Sequence, residues 1–258
     1  MDDRRTVVTG GDRGIGLGIA TDRAERGETV AICGRDREAL ATARAGLLAT
    51  GARHVLAIEA DLADPGGAQS VLDALLDHSP DWHALVHSAG NPPAGGLPET
   101  DTNLWDATMS IHVRSALVLA RGLAPGMTGA GFGRIITISS TAGEQAYRGH
   151  VAYCSAKAAL EMLTRTLALE LGGTGITANS IAPTVILTKL GQQVWGAHPE
   201  KADWIRNKIP VGRLGEVSDV VAVARFLLSE ESGFVNGARI PCDGGLNVTQ
   251  ADGPPAVG

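Results

Sequence analysis

The sequence predicts an α/β fold, a doubly wound parallel sheet of seven strands with helices on both faces. Three observations lead there. Seven short apolar, β-branched runs alternate along the chain with longer amphipathic ones, and strand–helix–strand alternation means parallel crossovers that cover both faces of a sheet. A glycine-rich turn joins the first such run to the first helical pattern, which is where doubly wound sheets turn toward a ligand. The 258 residues suit one α/β domain with a sizeable core rather than a tandem.

In chain order, strands are expected at residues 6–9, 29–33, 54–58, 84–87, 134–138, 177–181 and 238–241, and helices at 15–27, 36–50, 65–78, 101–127, 151–171 and 216–229. Asp64 and Pro65 are placed to open the third helix, and the acidic stretch from Glu216 to Asp219 favours the positive end of the last one. Residues 184–213, with Pro199, Pro210 and several glycines, break the alternation and read as a substrate lid over the sheet's carboxyl edge. The domain is expected to span 1–250, followed by a mobile tail, 251–258, carrying Pro254 and Pro255.

Lys and Arg number 22 against 28 Asp and Glu, a net charge of −6, with no long run of one sign. That balance argues against nucleic acid or a membrane surface as partner. No apolar stretch is long enough to span a bilayer, and residues 1–5 carry no export signal, so a cytoplasmic protein is expected. Three cysteines, Cys33, Cys154 and Cys242, have no metal-ligand spacing; they read as reduced thiols, and no metal site is expected. The chain has only four Lys, at 157, 189, 201 and 208, and two Tyr, at 147 and 153.

The first strand runs into Gly10-Gly11-Asp12-Arg13-Gly14-Ile15-Gly16. Gly10 permits the tight turn, Gly14 lets backbone approach a pyrophosphate, and Gly16 lets the helix pack on the strand, so the sheet is Rossmann-like. At the end of the second strand, Cys33-Gly34-Arg35, no acidic residue stands to grip a ribose 2′-hydroxyl. Arg13 and Arg35 instead offer guanidinium groups for a 2′-phosphate, which favours NADP(H) over NAD(H), with Asp36 as the opposing charge. Farther on, Ser140 follows the fifth strand, and Tyr153 and Lys157 lie four apart on one helix face. An ammonium beside a phenol lowers its pKa and makes it a general acid/base, and Ser140 would hold a carbonyl oxygen beside it.

Thr9-Gly10-x-x-x-Gly14-x-Gly16, Asp61-Leu62, Ala89-Gly90, Ser140, Tyr153-x-x-x-Lys157 and Asp243-Gly244-Gly245, in this order, resemble the short-chain dehydrogenase/reductase family over nearly the whole chain. The stretch from Ala182 to Thr188, with Trp195, is similar to the branch of L-xylulose/dicarbonyl reductases and sugar or polyol dehydrogenases. The resemblance implies an NADP(H)-dependent carbonyl reductase or alcohol dehydrogenase that moves a hydride between nicotinamide C4 and a small carbonyl or carbinol substrate. Tyr153 would exchange the proton, Lys157 would hold the nicotinamide ribose, and Ser140 would orient the substrate. Ile15, Asp61, Leu62, Ala89 and Gly90 would border the adenosine half of the cofactor, and Pro183, Val185 and Thr188 the nicotinamide end. Ala142, His150, Thr184 and Trp195 would border the substrate. A homotetramer is implied as well. His87 and His112 stand where the family has Asn. The sharper expectation is that His112 joins a proton relay with an inflection near pH 6.5, and the plainer one is two satisfied histidines. Two alternatives remain open at this point, an epimerase or dehydratase using the same residues and a nicotinamide-binding scaffold without turnover.

Overall fold

The computed structural model describes residues 4–188, 191–192 and 199–251. Strands β1 (Arg5–Thr9), β2 (Thr29–Gly34), β3 (His54–Glu59), β4 (Ala84–His87), β5 (Gly133–Ile138), β6 (Ile176–Pro183) and β7 (Arg239–Cys242) form one sheet in the order β3-β2-β1-β4-β5-β6-β7. Every neighbouring pair is parallel. Residues of β4 and β5 are buried throughout, as strands covered on both faces must be. The order reverses between β1 and β4, so the loops leaving their carboxyl ends diverge and open the crevice where such sheets bind ligands.

Helices α1 (Gly14–Glu25), α2 (Arg37–Thr50), α3 (Gly67–His78), α4 (Thr102–Met109), α5 (Ser115–Gly129), α6 (Val151–Leu171), α7 (Pro199–Arg206) and α8 (Val217–Leu227) cover the sheet. One apolar layer joins α1, α2 and α8 to one sheet face, with Ile19, Leu47, Ile136 and Leu227 at its centre. The other, built on Leu75, Trp82, Leu85, Leu119 and Leu123, carries α3 and α5. The indole of Trp82, fully buried, donates to the Leu75 carbonyl at 3.0 Å, so its polar atom is satisfied.

Two expected helices are corrected. The third begins at Gly67, not at 65: Asp64 and Pro65 lie in a turn closed by the Gly67 N–H on the Asp64 carbonyl at 3.1 Å, and Asp64 caps nothing. The span 101–127 is not one uniform helix, because α4 and α5 are separated by a π-helical turn, Ser110–Arg114. The last helix starts as expected, with Glu216 and Asp219 in a reciprocal capping box. Arg213 grips Asp219 through two hydrogen bonds of 2.7 and 2.8 Å and holds its carboxyl down at about 2. Within 184–213 the chain makes a bridge between Ile186 and Gly215 and the short helix α7. Ile205, Ile209 and Leu214 pack there against Leu246 near the C-terminus. Trp195 and the tail from 252 lie outside the described residues.

Candidate active site at the carboxyl edge of the sheet

Backbone geometry makes the glycine loop what its sequence promised. Gly10 and Gly14 have φ of 62° and 56°, a region that costs a side chain energy. A Cβ on Gly16 would stand 2.1 Å from the Gly10 carbonyl oxygen, so α1 lies directly on the turn. The first turn of α1 has no acidic residue and no side-chain cap, which leaves its N–H groups for an anion. Ala89 packs on Gly10, 3.0 Å from where its Cβ would be, and the Thr188 methyl stands 3.3 Å from a Cβ on Gly14. Ile15 and Leu62 pack against the two apolar layers, and Pro183 closes β6. Val185 accepts the Gly215 N–H at 3.0 Å, and Thr184 donates to Cys242 across the sheet edge at 3.4 Å.

A carboxylate of the glycine loop stands at the carboxyl end of β2. Asp12 reaches over Gly34, where a Cβ would come within 2.8 Å of its Cγ and Oδ1, and its side chain is only 7 % exposed. Its Oδ2 accepts Arg13 Nε at 2.8 Å, and Arg13 Nη2 donates to Asp36 at 3.0 Å. Arg35 points to Asp61 at 3.4 Å. Both arginines expected to receive a phosphate are therefore paired with carboxylates in the described structure. Asp36 also caps α2 by accepting the N–H groups of Glu38 and Ala39.

Ser140, Tyr153 and Lys157 come together. The end of β5 delivers Ser140 into the turn Thr141–Gly143, where its hydroxyl oxygen accepts the Ala142 N–H at 3.1 Å and keeps its own proton to donate. Tyr153 is half-buried on the first turn of α6, next to the Ser140 hydroxyl, and Lys157 Nζ lies 5.5 Å from its ring centre. Lys157 donates to the Ile138 carbonyl at 2.8 Å. Burial pulls its ammonium down to about 7, opposed by the charge of Glu161. Burial also raises the Tyr153 phenol, and Ser140 is the neighbour that lowers it. Burial outweighs the Ser140 hydrogen bond, so the phenol stands above its ordinary value.

The two histidines differ in how their ring nitrogens are engaged. The Thr9 hydroxyl accepts the N–H groups of Ser88 and Ala89 at 3.1 and 3.0 Å, so its proton goes to His87 Nδ1 at 3.0 Å. His87 is then the Nε2–H tautomer and donates to the Ile111 carbonyl at 3.1 Å. Burial holds it down at about 4, a neutral, fully engaged side chain. His112 is equally buried, and its Nε2 donates to the Asn91 carbonyl at 3.1 Å. Its Nδ1, buried, has no partner among the described residues. The ring lies over Gly90, where a Cβ would come within 2.1 Å of Cε1, and meets Tyr153 edge-on at 5.5 Å between ring centres. Burial first, then the charge of Lys157, holds its imidazole well below the ordinary histidine value. His150 caps the other side, 6.1 Å from Tyr153 and bonded through Nδ1 to the Pro93 carbonyl at 3.3 Å. Ala142 is buried in the serine turn.

Glu161 is absent from the sequence reading, and Thr9 and Asp12 stand in quoted motifs with no contact assigned to either; the strand motif is the signal that could have pointed to Thr9. No helix of the described residues is long and apolar enough to cross a membrane, and no cluster of three metal-ligating side chains occurs among them.

A family model described as enoyl-(acyl carrier protein) reductase matches residues 10–247. D-threitol dehydrogenase of Mycolicibacterium smegmatis is 32 % identical over 248 residues, covering 96 % of this chain and 94 % of that one. L-xylulose reductase of Mus musculus is 34 % identical over 247 residues, 95 % and 97 % of the two chains. Among solved structures, a short-chain type dehydrogenase/reductase from Mycobacterium ulcerans superposes with a TM-score of 0.88 at 32 % identity, over 96 % of this chain and 91 % of that one. A 3-oxoacyl (acyl-carrier-protein) reductase from Agrobacterium tumefaciens C58 with NADP bound does so at 0.87 and 26 % identity, over 93 % of each. Reductases and dehydrogenases on every side, together with the parallel sheet and its glycine loop, mean that the chain belongs to the short-chain dehydrogenase/reductase family and is an oxidoreductase with sugar and polyol dehydrogenases among its relatives.

Proposed function

We propose that the protein is an NADP(H)-dependent reductase or dehydrogenase of a small carbonyl or secondary alcohol, with Tyr153 as general acid/base. The observation that carries this is the meeting of Ser140, Tyr153 and Lys157 at the carboxyl edge of the sheet, beside a glycine loop shaped for a pyrophosphate. Gly10, Gly14 and the free first turn of α1 would hold the pyrophosphate, and the nicotinamide would give or take hydride at C4. Ser140 donates its remaining proton to the substrate oxygen and aligns it with the phenol. Tyr153 protonates that oxygen in reduction and takes the proton back in oxidation. Lys157 spends one donor on Ile138 and has two left for a ribose and for the proton path. His112 Nδ1, a buried acceptor without a partner among the described residues, is the next station on that path. His150, Ala142 and Thr184 border the substrate.

Preference for NADP(H) is supported by Arg13 and Arg35 at the adenosine end and by the relative with NADP bound. A 2′-phosphate would take Arg13 from Asp36, an exposed pair that water already weakens. The three free cysteines fit a reducing cytoplasm. Trp105, Leu117 and Met162, exposed on α4, α5 and α6, and Phe234 and Val248 near β7, supply apolar surface for a homotetramer. Titration with NADPH and NADH, followed by absorbance with L-xylulose or diacetyl and the reduced cofactor, or with gluconate or threitol and the oxidised cofactor, tests the function. Oxidation of NADPH by a ketose or diketone supports it; binding of both cofactors without turnover of any substrate contradicts it.

A further inference from the structure

Glu161 is a buried carboxylate to which the chemistry above gives no task. It lies one turn beyond Lys157 on α6 and is 2 % exposed. Its Oε1 accepts the Ser139 hydroxyl at 2.6 Å and Arg239 Nε at 3.0 Å, and Arg165 stands 3.8 Å from Oε2. A Cβ on Gly143 would come within 2.5 Å of the same Oε1. Arg239 also pairs with Glu144 at 2.9 Å and reaches the Ser140 carbonyl at 3.5 Å. A carboxylate is costly to bury unless charged and polar groups surround it. Here the end of β5, the turn after it and β7 all do so, and they are the elements that place Ser140.

We infer that Glu161 is a positioning residue: with Arg239 it fixes the turn that carries Ser140, and its negative charge keeps Lys157 an ammonium. The roles of Ser140 and Lys157 rest on the proposed function, and the geometry adds the reason they hold. Lys157 faces Tyr153 and Glu161 on its own helix, His87 from β4 and His112 from the π turn. Both histidines are held neutral, so Glu161 is the anion that sets the balance. Glu161 in turn faces Arg165 on α6, Ser139 from β5, Arg239 from β7 and, through Arg239, Glu144.

Opposite charges make opposite predictions. With only four lysines, the ¹³Cε resonance of Lys157 is assigned by its absence from Lys157→Met and followed through a pH titration. In Glu161→Gln, which keeps the shape and loses the charge, its inflection moves down by about half a unit or more; in Arg239→Met, which unmasks the carboxylate, it moves up by a similar amount. Glu161→Asp stays nearer the wild type than Glu161→Gln. Inflections that stay together, or that move the same way in both variants, overturn the inference. If Glu161→Gln fails to fold, Arg239→Met decides alone: an upward shift supports and any other result overturns. The titration needs no substrate, so opposed shifts in a protein that reduces nothing would sink the proposed function only, and unmoved shifts in an active enzyme would sink this inference only.

Discussion

His112 occupies the space that a side chain at position 90 would need, and this one contact ties the loop after β4 to the π turn and to Tyr153. Gly90 has φ of 153°, so both its backbone and its neighbour exclude a Cβ. Gly90→Ala is expected to cost about 1–3 kcal/mol through overpacking. Much of that cost should vanish in a His112→Ala background, because the two changes compete for one volume. Denaturant unfolding of the two single variants and the double variant measures the coupling, and strict additivity would contradict the contact. Tyr153, Lys157 and Ser140 were legible in the sequence because their relation is local, a helix turn and a strand end. The roles of His87 and Glu161 were not, since each depends on partners 78 positions away, Thr9 for one and Arg239 for the other. A sequence shows that a histidine stands at 87; only Thr9 decides its tautomer.

Between α4 and α5 the helix widens at Ser110–Arg114, and the local chemistry explains why. Ser115 N–H bonds five residues back to Ser110, and the Ile111 carbonyl accepts His87 Nε2 and the Ser115 hydroxyl, at 3.1 and 2.8 Å. The apolar period runs through such a turn almost unchanged, and so 101–127 read as one helix. The start of α3 escaped for another reason: Asp64 and Pro65 look like a helix opening, but Gly67 needs to lie against the Asp61 carbonyl, 1.9 Å from where its Cβ would be. The bond that His87 Nδ1 accepts from the Thr9 hydroxyl needs a neutral ring, which links this side chain to pH. Unfolded, the imidazole takes a proton below about 6.5; folded, it refuses one until about 4. Stability from this group is therefore complete above pH 6.5 and is lost as pH falls toward 4, by about 3 kcal/mol in all. His87→Gln should flatten that part of the stability curve in denaturant melts. Parallel curves for variant and wild type would contradict a neutral His87.

At the scale of the molecule, seven strands and their parallel pairing followed from alternation alone, and strand boundaries differ from expectation by two residues at most. The helix α7 within 184–213 was not read, because its apolar residues face a small cluster with Leu246 that chain order does not bring near. The exposed apolar residues of α4, α5 and α6 give the whole-molecule prediction: light scattering should find four times the chain mass, reduced by Leu117→Glu with Met162→Glu, and a monomeric wild type would contradict the assembly. All of this architecture serves one arrangement, a phenol held between a serine that donates and a buried ammonium. The decisive measurement is Tyr153→Phe, assayed for NADPH oxidation with its best carbonyl substrate and for NADPH binding by fluorescence. Turnover should fall by about 10²–10⁴-fold while NADPH affinity changes little. Turnover within a fewfold of wild type would contradict Tyr153 as the proton donor.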